Sequence, residues 1–235
     1  MRDWKQEQLQ QLRSETDEQR MFEVVASLAA QLGMEFFSFT LRAPQAAPQA
    51  QFKSYNNYPA AWNERYERCN YLSIDPTVAH CRQSMLPILW DDEVFRETPE
   101  FWQHAQLNGL RYGWSQSAHD LRHNESILSV ARSHRPIETQ EFHKAAGQIM
   151  WLCNLLHTLI LGRQPTPPPF SVRLSARETE VLKWSAAGKT AADISCILTL
   201  SQSTVNFHIR SIITKLGCSN KAGAIAIAAR NGLLE

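Results

Sequence analysis

Hydrophobic positions along this chain follow two regimes. Up to about residue 162, helical stripes alternate with short apolar runs. Phe22, Val25, Ala26, Ala29 and Leu32 recur at helical spacing and predict a helix from Glu18 to Leu32, ended by Gly33 and preceded by one from Trp4 to Arg13. Phe36 to Leu41, Phe52 to Asn56, Pro87 to Trp90, Tyr112 to Ser117 and Ile127 to Ala131 predict five short strands. Helical stretches fall at Ala60 to Cys69, Pro76 to Gln83, Pro99 to Asn108 and Glu138 to Leu161. The alternation implies an α/β domain, a five-stranded sheet of mixed order covered by helices. On the last stretch Phe142, Ala146, Ile149, Cys153, Leu156 and Ile160 form a core stripe. Leu152, Leu155 and Leu159 widen it into a second apolar surface.

From Leu174 onward the pattern is purely helical. Ser175 and Glu178 have capping-box spacing ahead of Val181, Leu182 and Trp184, and this helix runs to about Ala187. Gly188 breaks it. Thr190 with Asp193 caps a second helix, whose buried side is Ile194, Ile197 and Leu198. Ser201 caps a third, on which Val205, Ile209, Ile212 and Leu216 make one apolar stripe before Gly217. A fourth spans Ala222 to Asn231. Ser203, Asn206, Phe207, Arg210 and Thr214 point away from the stripe, and a solvated face rarely carries a large aromatic. Two short helices at a tight turn, the second presenting base-reading side chains, form a helix-turn-helix, here within an all-α four-helix domain.

Composition sharpens the division. The net charge of +1 hides 15 Lys+Arg against 19 Asp+Glu in residues 1 to 162, and 8 against 4 in residues 171 to 235. A basic small domain beside an acidic larger one fits a nucleic-acid partner for the C-terminal part only. Four prolines in residues 162 to 170 predict an extended linker, giving domains at 1–162 and 171–235 joined by 163–170. Five cysteines without a CxxC pair argue against a disulfide framework or a thiolate metal site and for a reducing cytoplasm. The apolar run Ile149 to Leu161 is interrupted by Asn154 and His157 and reads as too short to cross a membrane. His119 and His123, four apart, read as a solvated turn rather than a metal site.

The LSARETEVLKWSAAGKTAADIS stretch followed by STVNFHIRSIITKLG resembles the DNA-binding domain of LuxR-type transcription regulators. Glu178, Leu182 and Gly188 fall on that family's signature positions. Asn206 and Arg210 suit bidentate contacts to adenine and guanine edges, and Phe207 suits a thymine methyl. Lys189, Thr190 and Thr204 lie near helix N-termini, where phosphate is favoured, and Ser203 on the outward face joins the DNA-binding set.

A second constellation joins Tyr58, Trp62, Tyr66, Asp75 and Trp90. If the stretch is helical, Tyr58, Trp62 and Tyr66 share one side, suited to a ligand with an apolar tail and a polar head. By spacing alone the stronger reading is a core stripe with Asp75 capping the helix after Pro76. The pattern NYPAAW-x3-Y, Y-x3-DP, W, G, LS is, however, similar to the acyl-homoserine-lactone-binding domain of quorum-sensing LuxR-type receptors over most of residues 20 to 160. The resemblance implies that Trp62 donates to the lactone carbonyl, Asp75 accepts from the amide N–H, and Tyr58 and Ser129 hold the acyl carbonyl. Tyr66 and Trp90 would line the acyl channel, with Gly113 a signature position. It further implies an N-acyl-homoserine lactone as effector with no cofactor, a homodimer, double-stranded DNA as partner, and neither membrane attachment nor catalysis. Thr40 where many members have Gly, the extra hydroxyl of Ser38, itself a candidate ligand-binding group, and Gln116-Ser117 in place of a more apolar stretch leave chain length and oxidation state of the ligand open.

Two other functions stand against this. A phosphorylated receiver would need its acidic pair, here Asp91-Asp92-Glu93, within a parallel βα series. A hydrolase with Ser129 as nucleophile and His80 or His134 as base lacks a Gly-x-Ser-x-Gly elbow.

Overall fold

The computed structural model describes Trp4, residues 6–43, 51–121, 123–163 and 172–234. Most of the expected linker therefore lies outside the described residues. The chain forms two compact units, Met1–Gln164 and Pro165–Glu235.

In the first unit, α1 (Gln6–Ser14) and α2 (Glu18–Gln31) precede β1 (Phe36–Ala43) and β2 (Gln51–Asn56). The Asp17 carboxylate caps α2 by accepting from the Gln19 and Arg20 N–H groups. Next come α3 (Ala60–Arg68), a 3-10 turn at Tyr71–Ser73, α4 (Pro76–Cys81), β3 (Ile88–Leu89) and α5 (Pro99–Leu107). The hairpin of β4 (Tyr112–His119) and β5 (Glu125–Arg132) then leads into α6 (Thr139–Gly162).

The five strands pair in the order β2-β1-β5-β4-β3, and every pairing is antiparallel rather than mixed. The difference follows from connectivity: β2 and β3 sit on opposite edges, so α3 and α4 carry the chain across one whole face of the sheet. The other face is closed by α2 and α6. Strand alternation sorts the residues between them. Phe37, Phe39, Leu41, Leu128 and Val130 are buried against α2 and α6, joining Leu28, Ile149, Leu152 and Leu156 in the main core. Ser38, Thr40, Arg42, Ile127 and Ser129 face α3, α4 and α5.

Helix α6 is 24 residues long, beyond the apolar run recognised in the sequence, and by length and composition alone could cross a membrane. Its packing accounts for the apolar content instead: Ala145, Ile149, Leu152, Cys153, Leu156, His157 and Ile160 are buried against the sheet. Leu152 thus belongs to the core, and the apolar residues left exposed on α6 are Met150 and Trp151.

The second unit comprises α7 (Ala176–Ala186), α8 (Ala191–Leu198), α9 (Gln202–Leu216) and α10 (Lys221–Arg230). Both predicted capping boxes are formed, Ser175 with Glu178 and Thr190 with Asp193. Val181, Leu182, Ile194, Val205, Ile212 and Leu216 build the core. Ile197, expected on the buried side, lies exposed, because the stripe that packs α8 is Ile194 with Leu198 one turn on; Trp184 is exposed too, since α7 packs through Val181 and Leu182.

Candidate functional site

Between the sheet and α3, α4 and α5 lies a cavity of about 640 Å³. All seven residues predicted for ligand binding line it: Ser38, Tyr58, Trp62, Tyr66, Asp75, Trp90 and Ser129. Tyr58 is not on the helix with Trp62 and Tyr66, since α3 begins after Pro59. It reaches the cavity from the preceding turn, anchored by its own N–H to Asn56 Oδ1 at 2.9 Å. Trp62 and Tyr66, one turn apart, meet edge to face at 5.8 Å, and Trp62 packs in the same manner on Phe101 from α5 at 5.4 Å. Phe95, Phe101 and Trp102 complete an aromatic wall that the sequence reading did not assign.

Asp75 serves both readings of its sequence context. Its Oδ1 caps α4, accepting from the Thr77 N–H at 2.9 Å and the Thr77 hydroxyl at 2.7 Å. Its Oδ2 accepts from the Tyr66 hydroxyl at 3.0 Å and keeps a second lone pair for the cavity. Burial raises the Asp75 carboxyl above the ordinary carboxylate range, although Thr77 and Tyr66 pull it back down. Burial, reinforced by the neighbouring Asp75 charge, likewise raises the Tyr58 and Tyr66 phenols, so both remain O–H donors. The Tyr58 hydroxyl faces those of Ser38 and Ser129. The Trp62 indole N–H has no hydrogen-bond partner among the described residues.

A hydroxyl relay fixes the opposite wall. The Trp90 indole N–H donates to Ser115 Oγ at 3.0 Å, and Ser115 Oγ lies 2.8 Å from Ser129 Oγ. Ser115 was missed by sequence reasoning; only the register, which sets Ser115 opposite Ser129, identifies it. Gln116 and Ser117 do not line the cavity. They tie the loop before β3 to β4, donating to the Met85 and Ser84 carbonyls at 2.8 and 2.6 Å. Ser38 and Thr40 do line the cavity.

On the second unit, Ser203, Asn206, Phe207 and Arg210 are exposed along α9, Phe207 to 67 %. Lys189 is exposed at the turn before α8, and its carbonyl accepts from Lys221 Nζ at 2.9 Å. The Thr190 hydroxyl is engaged with Asp193 at 2.7 Å, and those of Ser203 and Thr204 with Ser201 at 2.7 Å each. Glu178, nearly buried, does more than cap α7. It accepts from Ser211 at 2.7 Å and Lys215 at 2.7 Å, locking α7 to the back of α9.

Comparison with known proteins agrees with both halves of this geometry. Residues 17–159 match the autoinducer binding domain family, and residues 172–228 match the family of bacterial regulatory proteins of the luxR type. The chain belongs to the LuxR family. It is 33 % identical to the transcriptional activator protein AnoR of Acinetobacter nosocomialis over the full length of both chains. It is 32 % identical to the regulatory protein SdiA of Escherichia coli, covering 94 % of this chain and 92 % of SdiA. A crystal structure of E. coli SdiA superimposes with a TM-score of 0.66 at 30 % identity over 97 % of this chain and 96 % of SdiA. SdiA in complex with octanoyl-rac-glycerol superimposes equally well at 29 % identity, over 100 % of this chain and 99 % of SdiA. This LuxR-family chain is therefore a quorum-sensing transcription regulator with an autoinducer-binding domain and a helix-turn-helix that binds DNA.

The two competing functions lose their geometric basis. An antiparallel sheet is not a receiver, and Asp91 and Asp92 are committed to the Val94 N–H and the Trp102 indole. Ser129 bonds Ser115 rather than a histidine, while His80 bonds the Leu86 carbonyl and His134 pairs with Glu35. His157 does bond a serine, but this is Ser126, fully buried between β5 and α6.

Proposed function

We propose that the cavity binds an N-acyl-homoserine lactone, oriented by four side chains. Trp62 donates its indole N–H to the lactone carbonyl, Asp75 Oδ2 accepts from the amide N–H, and Tyr58 and Ser129 donate to the acyl carbonyl. Tyr66 and Trp90 flank the chain. The observation that carries this reading is the convergence of Trp62, Tyr58, Asp75 and Ser129 on one aromatic-walled cavity. Two hydroxyls and an indole N–H as donors and one carboxylate oxygen as acceptor are the complement that an amide beside a cyclic ester calls for.

Residues 1–162 form the ligand-binding and dimerisation domain, residues 163–170 the linker, and residues 171–235 the DNA reader. Exposed Met150 and Trp151 on α6 supply apolar surface for a second copy. A twofold dimer reads two inverted half-sites about one helical turn, ~34 Å, apart or a multiple of it. Ser203, Asn206, Phe207 and Arg210 meet bases or nearby phosphates, while Lys189, Thr190 and Thr204 meet phosphates. The protein works in the cytoplasm as a regulator without catalytic activity.

The test is thermal melting of the full chain with acyl-homoserine lactones of four to fourteen carbons. A ligand at a hundred times its Kd adds about 2.7 kcal/mol and raises the transition by roughly 5 °C or more. An unchanged transition across the whole series rejects the pocket assignment.

A further inference from the structure

The cavity floor runs along β1 and β5 in paired rows: Ser38 opposite Ser129, Thr40 opposite Ile127, and Arg42 opposite Glu125. The first row belongs to the polar head of the ligand. The third row is the unexpected one. Glu125 lines the cavity with its side chain only 9 % exposed, yet its Oε1 is buried and has no hydrogen-bond partner among the described residues. Arg42 Nη1 stands 3.7 Å from Oε2 and Arg82 Nε 3.9 Å from Oε1, near enough to balance charge and too far to hydrogen bond. His119, the register neighbour on β4, is committed to the Cys81 carbonyl at 2.8 Å. A buried carboxylate oxygen with no donor is costly, and a plain alkyl end pushed against it would exclude solvent without returning a hydrogen bond.

From this we infer that Glu125, with Arg42 and Arg82, forms a polar subsite at the far end of the cavity that selects a ligand bearing a hydroxyl at the end of its acyl chain. The hydroxyl donates to Glu125 Oε1 and accepts from the Arg82 guanidinium. Ser129 and Glu125 are four residues apart on the same face of β5, about 13 Å at a strand rise of ~3.3 Å per residue. An extended chain advances about 1.3 Å per bond, so an acyl chain of roughly ten carbons with its terminal hydroxyl oxygen, about ten bonds from the carbonyl carbon, spans that distance. The inference rests on the lactone reading of the first row.

The experiment compares N-decanoyl- and N-(10-hydroxydecanoyl)-homoserine lactone, with apparent affinities taken from thermal melting of the full chain against ligand concentration. The parent is expected to bind the hydroxylated ligand about tenfold more tightly. Glu125→Gln keeps an acceptor and retains that preference, whereas Glu125→Leu reverses it. If both ligands bind the parent equally, or the preference survives in Glu125→Leu, the subsite is refuted while the head-group reading stands. If neither ligand shifts the transition, the head-group reading fails and the subsite with it. The ratio for the parent decides the matter even if Glu125→Leu does not fold.

Discussion

Glu178 and Lys215, 37 positions apart in sequence, meet at 2.7 Å and join the first helix of the DNA-binding unit to the last turn of α9. Burial alone would raise the Glu178 carboxyl. Hydrogen bonds from Lys215, the Ser175 N–H and Ser211 outweigh it and hold the group at about 2, against an ordinary 4.5. Because the folded value is depressed, this stability is present above the unfolded value and is lost as pH falls from about 4.5 towards 2.

The DNA-binding unit should therefore lose about 2 to 3 kcal/mol across that acid window, discounted for the partly exposed Lys215. Glu178→Gln should flatten the acid limb. Urea unfolding followed between pH 2 and 6 measures both. An acid limb of equal steepness in the variant assigns the loss to other carboxylates.

Gly113 is explained by a close approach. A Cβ there would sit 2.5 Å from the Val130 carbonyl oxygen and 2.8 Å from the Trp90 ring. Gly113→Ala should therefore displace Trp90, weaken its bond to Ser115 and cost about 1 to 3 kcal/mol. Denaturant midpoints and lactone affinity should fall together. Parent-like values for both would mean that the β4–β5 ladder yields to the methyl group at no cost.

Asp75 caps a helix as well as facing the cavity, so Asp75→Ala removes both functions. Its apo stability should drop by about 1 kcal/mol from the lost cap. Asp75→Asn can keep a carbonyl oxygen towards Thr77 while turning an amide towards Tyr66 and the ligand. It should retain apo stability and lose lactone affinity by about 1 to 3 kcal/mol, a defect that more ligand overcomes. Isothermal titration separates the two variants. Full affinity in Asp75→Asn would remove Asp75 as the amide acceptor.

Much of this architecture was legible because it is written in local spacing. The caps Ser175, Thr190 and Ser201 each carry their own hydrogen-bond geometry, and the five apolar runs each became a strand. What stayed hidden depends on register. Ser115 reaches Ser129 only through the pairing of β4 with β5, and Glu125 meets Arg42 only through that of β5 with β1. Arg82, 43 positions before Glu125, approaches it only after α4 has crossed the sheet face. The antiparallel order itself was misread because helices between strands imply crossovers locally, whereas strand direction is decided by which edges those crossovers connect.

The DNA-facing surface separates base reading from phosphate contact. Arg210 is exposed on the same side of α9 as Asn206 and Phe207, while Val205, Ile212 and Leu216 are buried on the other, so Arg210→Ala should leave fold and ligand binding intact. Its effect should be confined to one base position in each half-site, at about 1 to 3 kcal/mol. Lys189→Ala, at the exposed turn before α8, should weaken all sequences alike and lower the salt slope by about 1. Thr190 gives a third pattern, because its hydroxyl is held by Asp193; Thr190→Ala should cost about 1 kcal/mol of stability through the cap as well as any phosphate contact. Fluorescence anisotropy on a twofold-symmetric target, with ligand saturating and salt varied, distinguishes the three. If Arg210→Ala binds that target as tightly as the parent at every salt concentration, α9 does not read bases through Arg210, and the assignment of base recognition must move to Asn206 and Phe207.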